Sequence, residues 1–382
     1  MINRDRMRDH FLTLVQIDSP SRKEREIAMH LKEELTSLGA EVSFDQTDQM
    51  VGGTVGNLIA RIPGTRSGGT PFLLCAHMDT VGPGQGIKPQ VEENLIKSDG
   101  STILGADDKS GIAIICEVLR ALQKEKVPYA ELEILFTICE ESSLLGARHL
   151  DVSRLHARTG LILDSSDPDR LITRAPAANR LQFTLQGFEA HAGVCPERGI
   201  NAIRIASEAI AGMRLGRLDD ETTANIGTIE GGIAINIIPS AVTVHGEARS
   251  HDEAKLKAQT EHMIRCFEEA AGQHQLTLDG TTHRGQVTYQ VQRDYDRLFI
   301  PEEARIVQLV RHAAHTLGRE ITLWRTGGAS DANFLCAKGL EVVNVGTGQR
   351  EVHTVREYLL LDDMVRSAEL VLNTVKLHAS MS

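Results

Sequence analysis

The sequence predicts an α/β protein with a mainly parallel sheet and helices on both faces, into which a smaller ferredoxin-like α+β domain is inserted. Three observations predict it. Buried-strand runs alternate with helical segments over the first 175 residues, the texture changes near Pro176, and the first texture returns from about residue 293. Strands alternating with helices imply a parallel sheet covered by those helices. A chain of 382 residues also exceeds the size at which a single core stops growing, so about two domains are expected.

Taken in order, "SRKEREIAMHLKEELTSLG" reads as a helix that opens with a capping box from Ser21 to Glu24 and stops at Gly39. The stretches "EVSFDQ", "VGNLIARI" and "PFLLCAH" read as strands. "DKSGIAIICEVLRALQKEK" has helical periodicity, and "ELEILFTI" and "TGLILDSS" read as buried strands. Beyond Pro176, "NRLQFTLQGFEAH" alternates like a half-exposed strand. It is followed by the helix "NAIRIASEAIAGMR", the strands "ANIGTIEG" and "AVTVHGEARS", the helix "DEAKLKAQTEHMIRCFEEAAG" and the strand "GQVTYQVQ". This β-α-β-β-α-β order is that of a ferredoxin-like unit. A helix, "DANFLCAKG", the strand "LEVVNVG" and a terminal helix complete the chain. The expected division is 1–175 plus 293–382 for a catalytic domain and 176–292 for the insert.

The net charge of −11 excludes nucleic acid and an anionic membrane as main partners, since both need a basic surface. The N-terminus lacks the apolar core of a secretory signal, and the longest apolar run, "GIAIICEVL", is too short to cross a bilayer. The six cysteines contain no C-x-x-C pair; five sit in apolar segments and read as reduced core residues, which suits the cytoplasm.

The chemistry gathers where strands end. "PFLLCAHMD" ends in His77 and Asp79, "TICEES" carries Glu140 and Glu141, and "LILDSS" ends in Asp164. His353 follows "VVNVGTG", and Asp107 and Asp108 in "GADDKSG" precede a helix. Ligands of open α/β sheets bind beyond the carboxyl ends of the strands, so these residues form one cluster by topology. Imidazole with carboxylate suits Zn²⁺, with Mn²⁺ or Co²⁺ as alternatives. An Asp between two cations can bridge them, and a further carboxylate can shuttle protons. Singly, each motif has a bland reading: "DD" before a helix is often a cap, and "EE" after a strand a solvated turn. Together, at successive strand ends, they point to a metal centre. His312 and His315 share a helical face without a carboxylate and read as surface residues. "GPGQG" lacks dinucleotide spacing, and Cys139 has no basic partner in sequence and reads as a core thiol.

The motifs "HMDTV", "GADDKSG", "EES", "LDSS" and "VHT" resemble the co-catalytic di-zinc exopeptidase family that includes the peptidase T and glutamate carboxypeptidase branches. The likeness covers nearly all the chain and is nearest the tripeptide aminopeptidase branch. It implies that the insert is a lid and dimerisation domain. It implies that His77 and Asp164 hold one metal ion and Glu141 and His353 the other, with Asp107 bridging. Asp79 would orient the His77 imidazole, the Asp107–Asp108 peptide would be cis, and Glu140 would be the general base. His191 in "GFEAHAG" would stabilise the oxyanion. Asn236, Arg249, Gly328 and Ser330 would contact substrate, the guanidinium suiting a peptide carboxylate. Asp rather than Glu at 164 favours the peptidase branch. Ile138-Cys139 before the Glu pair, and the loop "TGGASDAN", depart from peptidase T and leave strict tripeptide specificity open.

The expected function is therefore metal-dependent removal of the N-terminal residue from short peptides by a cytoplasmic enzyme, assembled as a homodimer through the lid. The alternative is hydrolysis of N-acyl amino acids or dipeptides on the same two metals, and the remote one a non-catalytic metal- or peptide-binding module.

Overall fold

The computed structural model describes residues 1–66 and 68–381, and the chain divides into two compact units, Met1–Arg174 with Leu298–Ser382, and Ala175–Arg297. In the larger unit a mixed sheet runs in the order Glu41–Phe44, Leu58–Ile62, Leu132–Thr137, Phe72–His77, Thr159–Leu163, Glu341–Val345, Arg170–Ala175, Leu298–Phe299. Its four central strands, Leu132–Thr137, Phe72–His77, Thr159–Leu163 and Glu341–Val345, are mutually parallel. The strands flanking them, Leu58–Ile62 and Arg170–Ala175, pair antiparallel. The central strands are almost wholly buried and apolar, the composition expected of strands covered on both sides.

The helix Ala106–Glu125 packs on the Phe72–His77 strand and against the helices Arg4–Val15 and Leu361–Met381. Ile112, Ile115, Cys116, Leu119 and Leu122 on that helix are fully buried or nearly so. A small antiparallel sheet joins Gln90–Glu92, Leu95–Lys97, Tyr358–Leu360 and Gln349–Arg350. The sequence did not reveal it, because its strands are two or three residues long and show no periodicity.

The smaller unit is an antiparallel sheet in the order Gly216–Arg217, Thr222–Gly231, Ala241–Ser250, Ala177–Gln186, Gln286–Tyr295, with helices Ala202–Ala211 and Glu253–Gln273. It has its own core, in which the Phe183 and Phe267 rings lie 4.1 Å apart. The unit extends to Arg297 rather than 292 because the last strand continues to Tyr295, past its alternating segment. A hairpin of Gln275–Leu278 and Thr281–Arg284 was not expected.

Two sequence expectations are corrected. The Ser21–Glu24 capping box does not form: Glu24 is the N-cap without a side-chain cap bond, and its carboxylate accepts the amides of Arg22 and Cys139. Ser21 instead donates its hydroxyl to Asp79 at 2.6 Å, because the chain turns at Arg22 with φ of 71°. Of the cysteines, Cys75, Cys116 and Cys139 are buried, while Cys195, Cys266 and Cys336 are half-buried; all six are unpaired.

Candidate active site

The four parallel strands run in one direction, so their carboxyl ends share one edge of the sheet. His77 is the last residue of its strand, and Glu140 and Glu141 follow Thr137 by a short turn. Asp164 follows Leu163 directly, and His353 sits in the loop between Gln349–Arg350 and Tyr358–Leu360. The small sheet fixes both stems of that last loop, which places His353, at φ of 63°, toward the other ligands.

Asp107 lies between two histidines. One carboxylate oxygen is 3.0 Å from His77 Nε2, and the other is 3.2 Å from His353 Nε2. His77 Nε2 is 4.0 Å from Asp164, and His353 Nε2 is 3.0 Å from Glu141. The ligand atoms of His77, Asp107 and Asp164 lie within 4.8 Å of one another, as do those of Asp107, Glu141 and His353, and those of His77, Glu140 and Glu141. Asp107 is thus common to two groups of side chains that could each hold a cation.

The local backbone explains this placement. The Asp107–Asp108 peptide is cis, and both residues depart from helical torsions inside the Ala106–Glu125 segment. A Cβ at Gly111 would come within 2.3 Å of the Leu163 carbonyl, so glycine there lets the start of the helix abut the strand that delivers Asp164. Asp108 accepts the His77 amide at 3.2 Å and serves the backbone rather than the metal positions. Glu357, which carried no signal in the sequence, is buried and accepts the amides of Leu104, Gly105 and Asp107 at 2.7, 2.8 and 3.0 Å. It holds the loop that presents the Asp107 carboxylate.

Asp79 lies against the His77 imidazole through both backbone and side chain. The His77 Nδ1 partner is the Asp79 main-chain carbonyl at 3.0 Å, while the carboxylate is 3.5 Å away. The carboxylate accepts the amides of Glu140 and Glu141 at 2.9 and 3.2 Å, so one residue orients the imidazole by its backbone and the acidic pair by its side chain. The pair lies in a turn after the strand, entered through Cys139 at φ of 51°, so strand alternation does not separate the two side chains. The Cys139 thiol donates to Glu24, and burial together with that carboxylate pushes its pKa far up, which removes it as a nucleophile.

The charges are unbalanced without cations. Burial pushes the carboxyls of Glu140 and Glu141 up, and burial followed by the charge of Asp107 does the same at Asp164. Burial opposes ionisation of Asp107 too, but contacts with His353 and His77 hold it below the usual range. Contacts with Asp107 and Glu141 raise His353 to about 10. Glu141 Oε1 is buried and, though close to His353, has no aligned hydrogen-bond partner. Two imidazoles set among four buried or half-buried acids are a donor set that fits a pair of divalent cations.

A profile of peptidase family M20/M25/M40 matches residues 73–377. The chain belongs to that family. Its relatives include an uncharacterised protein, YqjE, of Bacillus subtilis, 40% identical over 98% of this chain and 99% of its own length. The crystal structure of the aminopeptidase PepT of Bacillus cereus superposes with a TM-score of 0.89 at 39% identity, covering 99% of each chain. A tripeptidase from Staphylococcus aureus gives 0.92 at 35% identity, covering 100% of each. This M20 protein is therefore a metallopeptidase.

In the smaller unit, His191 and Asn236 come together. His191 pairs with Ile237 in a short antiparallel bridge, and the Ala192 amide donates to the Asn236 carbonyl at 2.9 Å. His191 Nδ1 accepts the amides of Gly193 and Val194 at 3.1 and 3.2 Å, so in the neutral ring the proton sits on Nε2. The Arg249 guanidinium bonds Glu247 through Nε and Nη2 at 2.9 and 3.0 Å. In the larger unit Gly328 is exposed in its loop. Ser330 is buried and forms a capping box with Asn333. Asn344 donates to its hydroxyl at 3.3 Å and to the Asp164 carbonyl at 2.8 Å. Through Asn344, the Ser330 hydroxyl is thus linked to the backbone of Asp164.

Proposed function

We propose that this protein is a di-zinc aminopeptidase that removes the N-terminal residue from short peptides, tripeptides among them. The observation that carries the reading is Asp107, whose two carboxylate oxygens face His77 and His353 and so suit a bridging ligand. His77, Asp107 and Asp164 would hold one ion, and Asp107, Glu141 and His353 the other. The PepT and tripeptidase structures that share over a third of the sequence support the substrate class. Two Zn²⁺ ions, when bound, polarise the scissile carbonyl and lower the pKa of water so that it attacks as hydroxide.

The remaining roles belong to the chain. Glu140, close to His77 and Glu141 but outside the two shared-Asp107 triads, takes the proton of the attacking water on its carboxylate and delivers it to the leaving amine. Asp79 fixes the pair from behind through both amides. His191 offers Nε2–H as a donor to the developing oxyanion, its orientation set by the two amides on Nδ1. We also assign the protein to the cytoplasm, where unpaired cysteines are at home, and to a homodimer assembled through the Ala175–Arg297 unit. Among the described residues no helix is long and apolar enough to cross a membrane.

A panel of tripeptides, dipeptides and N-acetyl or N-succinyl amino acids tests the reading. Tripeptides with a free amine should turn over fastest, with the first residue released. Turnover confined to the N-acyl compounds would replace the aminopeptidase with a deacylase.

A further inference from the structure

A second group of metal-type side chains lies in the helical layer. His10 comes from the helix Arg4–Val15, and His30 and Glu34, one turn apart on one face, come from Arg25–Ser37. One ligand atom from each lies within 4.8 Å of the other two. His10 Nε2 is 2.8 Å from Glu34 Oε2, and His30 Nε2 is 3.9 Å from the same oxygen. The Cys116 thiol, from the Ala106–Glu125 helix, also lies against this carboxylate. The group is separate from the peptidase centre: Glu24, which touches the turn of the acidic pair, precedes Glu34 by ten residues, about 15 Å along a helix.

The His10 side chain is only 8% exposed; its Nε2 faces Glu34 Oε2 at 2.8 Å, and its buried Nδ1 has no hydrogen-bond partner. Arg120 occupies the other Glu34 oxygen, Oε1, at 2.7 Å, leaving Oε2 turned to both imidazoles. Ligands held 2.0–2.2 Å from a small divalent ion stand about 3–3.5 Å apart, between the two separations seen here. His30, 38% exposed, provides a path from solvent.

We propose that His10, His30 and Glu34 form an accessory Zn²⁺ site that ties the two N-terminal helices to each other. Two imidazoles and a carboxylate are zinc donors, and they leave the fourth position of a tetrahedral shell to water. The ion takes His10 Nε2 and Glu34 Oε2 into one coordination shell in place of their direct contact.

The test is zinc content after saturation with Zn²⁺ and removal of loosely held metal. Wild-type protein should carry one equivalent more than His30→Ala, and His10→Gln should lose the same equivalent. His30 is partly exposed, so its replacement leaves a folded protein even if His10→Gln does not. Peptidase activity of His30→Ala should stay at the wild-type level. The readout is a difference of one equivalent, so it stands whether or not the strand-end centre holds two ions. Equal zinc content in wild type and His30→Ala overturns the proposal.

Discussion

In the Ala175–Arg297 unit every strand of the sheet runs against its neighbours, whereas four strands at the centre of the larger sheet run together. The antiparallel sheet sends alternate strand ends to opposite edges, so no edge collects more than a few functional groups. Its chemistry, His191 beside Asn236, sits instead in paired loops. The parallel strands deliver His77, Glu140, Glu141 and Asp164 to one edge, and the price is three acids in a buried space. Direction of strands, more than composition, decides where a charged centre can be built.

If the two units are separate structures with separate cores, damage to one should spare the other. Phe267→Ala removes a ring packed 4.1 Å from Phe183 in the insert and should cost about 3–5 kcal/mol. Thermal unfolding should split into two transitions, with zinc binding retained in the upper one. A single transition at lower temperature, with zinc lost, would show that the units unfold as one.

A smaller effect tests the charge burden of the parallel edge. Asp331 is fully buried, its Oδ1 has no partner, and burial pushes its carboxyl up to about 6 from an ordinary 3.8. A raised carboxyl pKa means that the folded state holds the proton more tightly. The stability this group contributes is complete below pH 4 and lost as pH rises through 6. The difference is on the order of 3 kcal/mol. Asp331→Asn keeps an acceptor for the Thr137 hydroxyl and should remove that slope, leaving metal-free protein more stable at pH 8. An unchanged pH profile in denaturant titrations would contradict the assignment.

The smallest effect concerns Ser21. Its hydroxyl bonds the Asp79 carboxylate, so Ser21→Ala should destabilise by about 1–2 kcal/mol and lower kcat a few-fold through the acidic pair. Loss of stability with kcat untouched would mean that Ser21 serves the turn alone.

How much of this could be read in the sequence follows the range of the interactions. The central strands announce themselves by apolar runs, and their order with the helices implies that His77, Glu141 and Asp164 meet. The role of Glu357 leaves no trace, because it accepts amides some 250 residues away in sequence. Ser21 and Glu24 fit the local pattern of a capping box, yet both side chains are taken by partners beyond the helix. The Arg249–Glu247 pair was equally hidden, because a spacing of two residues is common to any alternating strand.

The central claim is that the adjacent acids divide the work, Glu141 holding metal and Glu140 moving protons. Glu140→Gln tests it most directly, with zinc content and tripeptide hydrolysis measured on the same preparation. The account predicts unchanged zinc and a fall in kcat of at least about 10²-fold. Hydrolysis near the wild-type rate with zinc bound would contradict it.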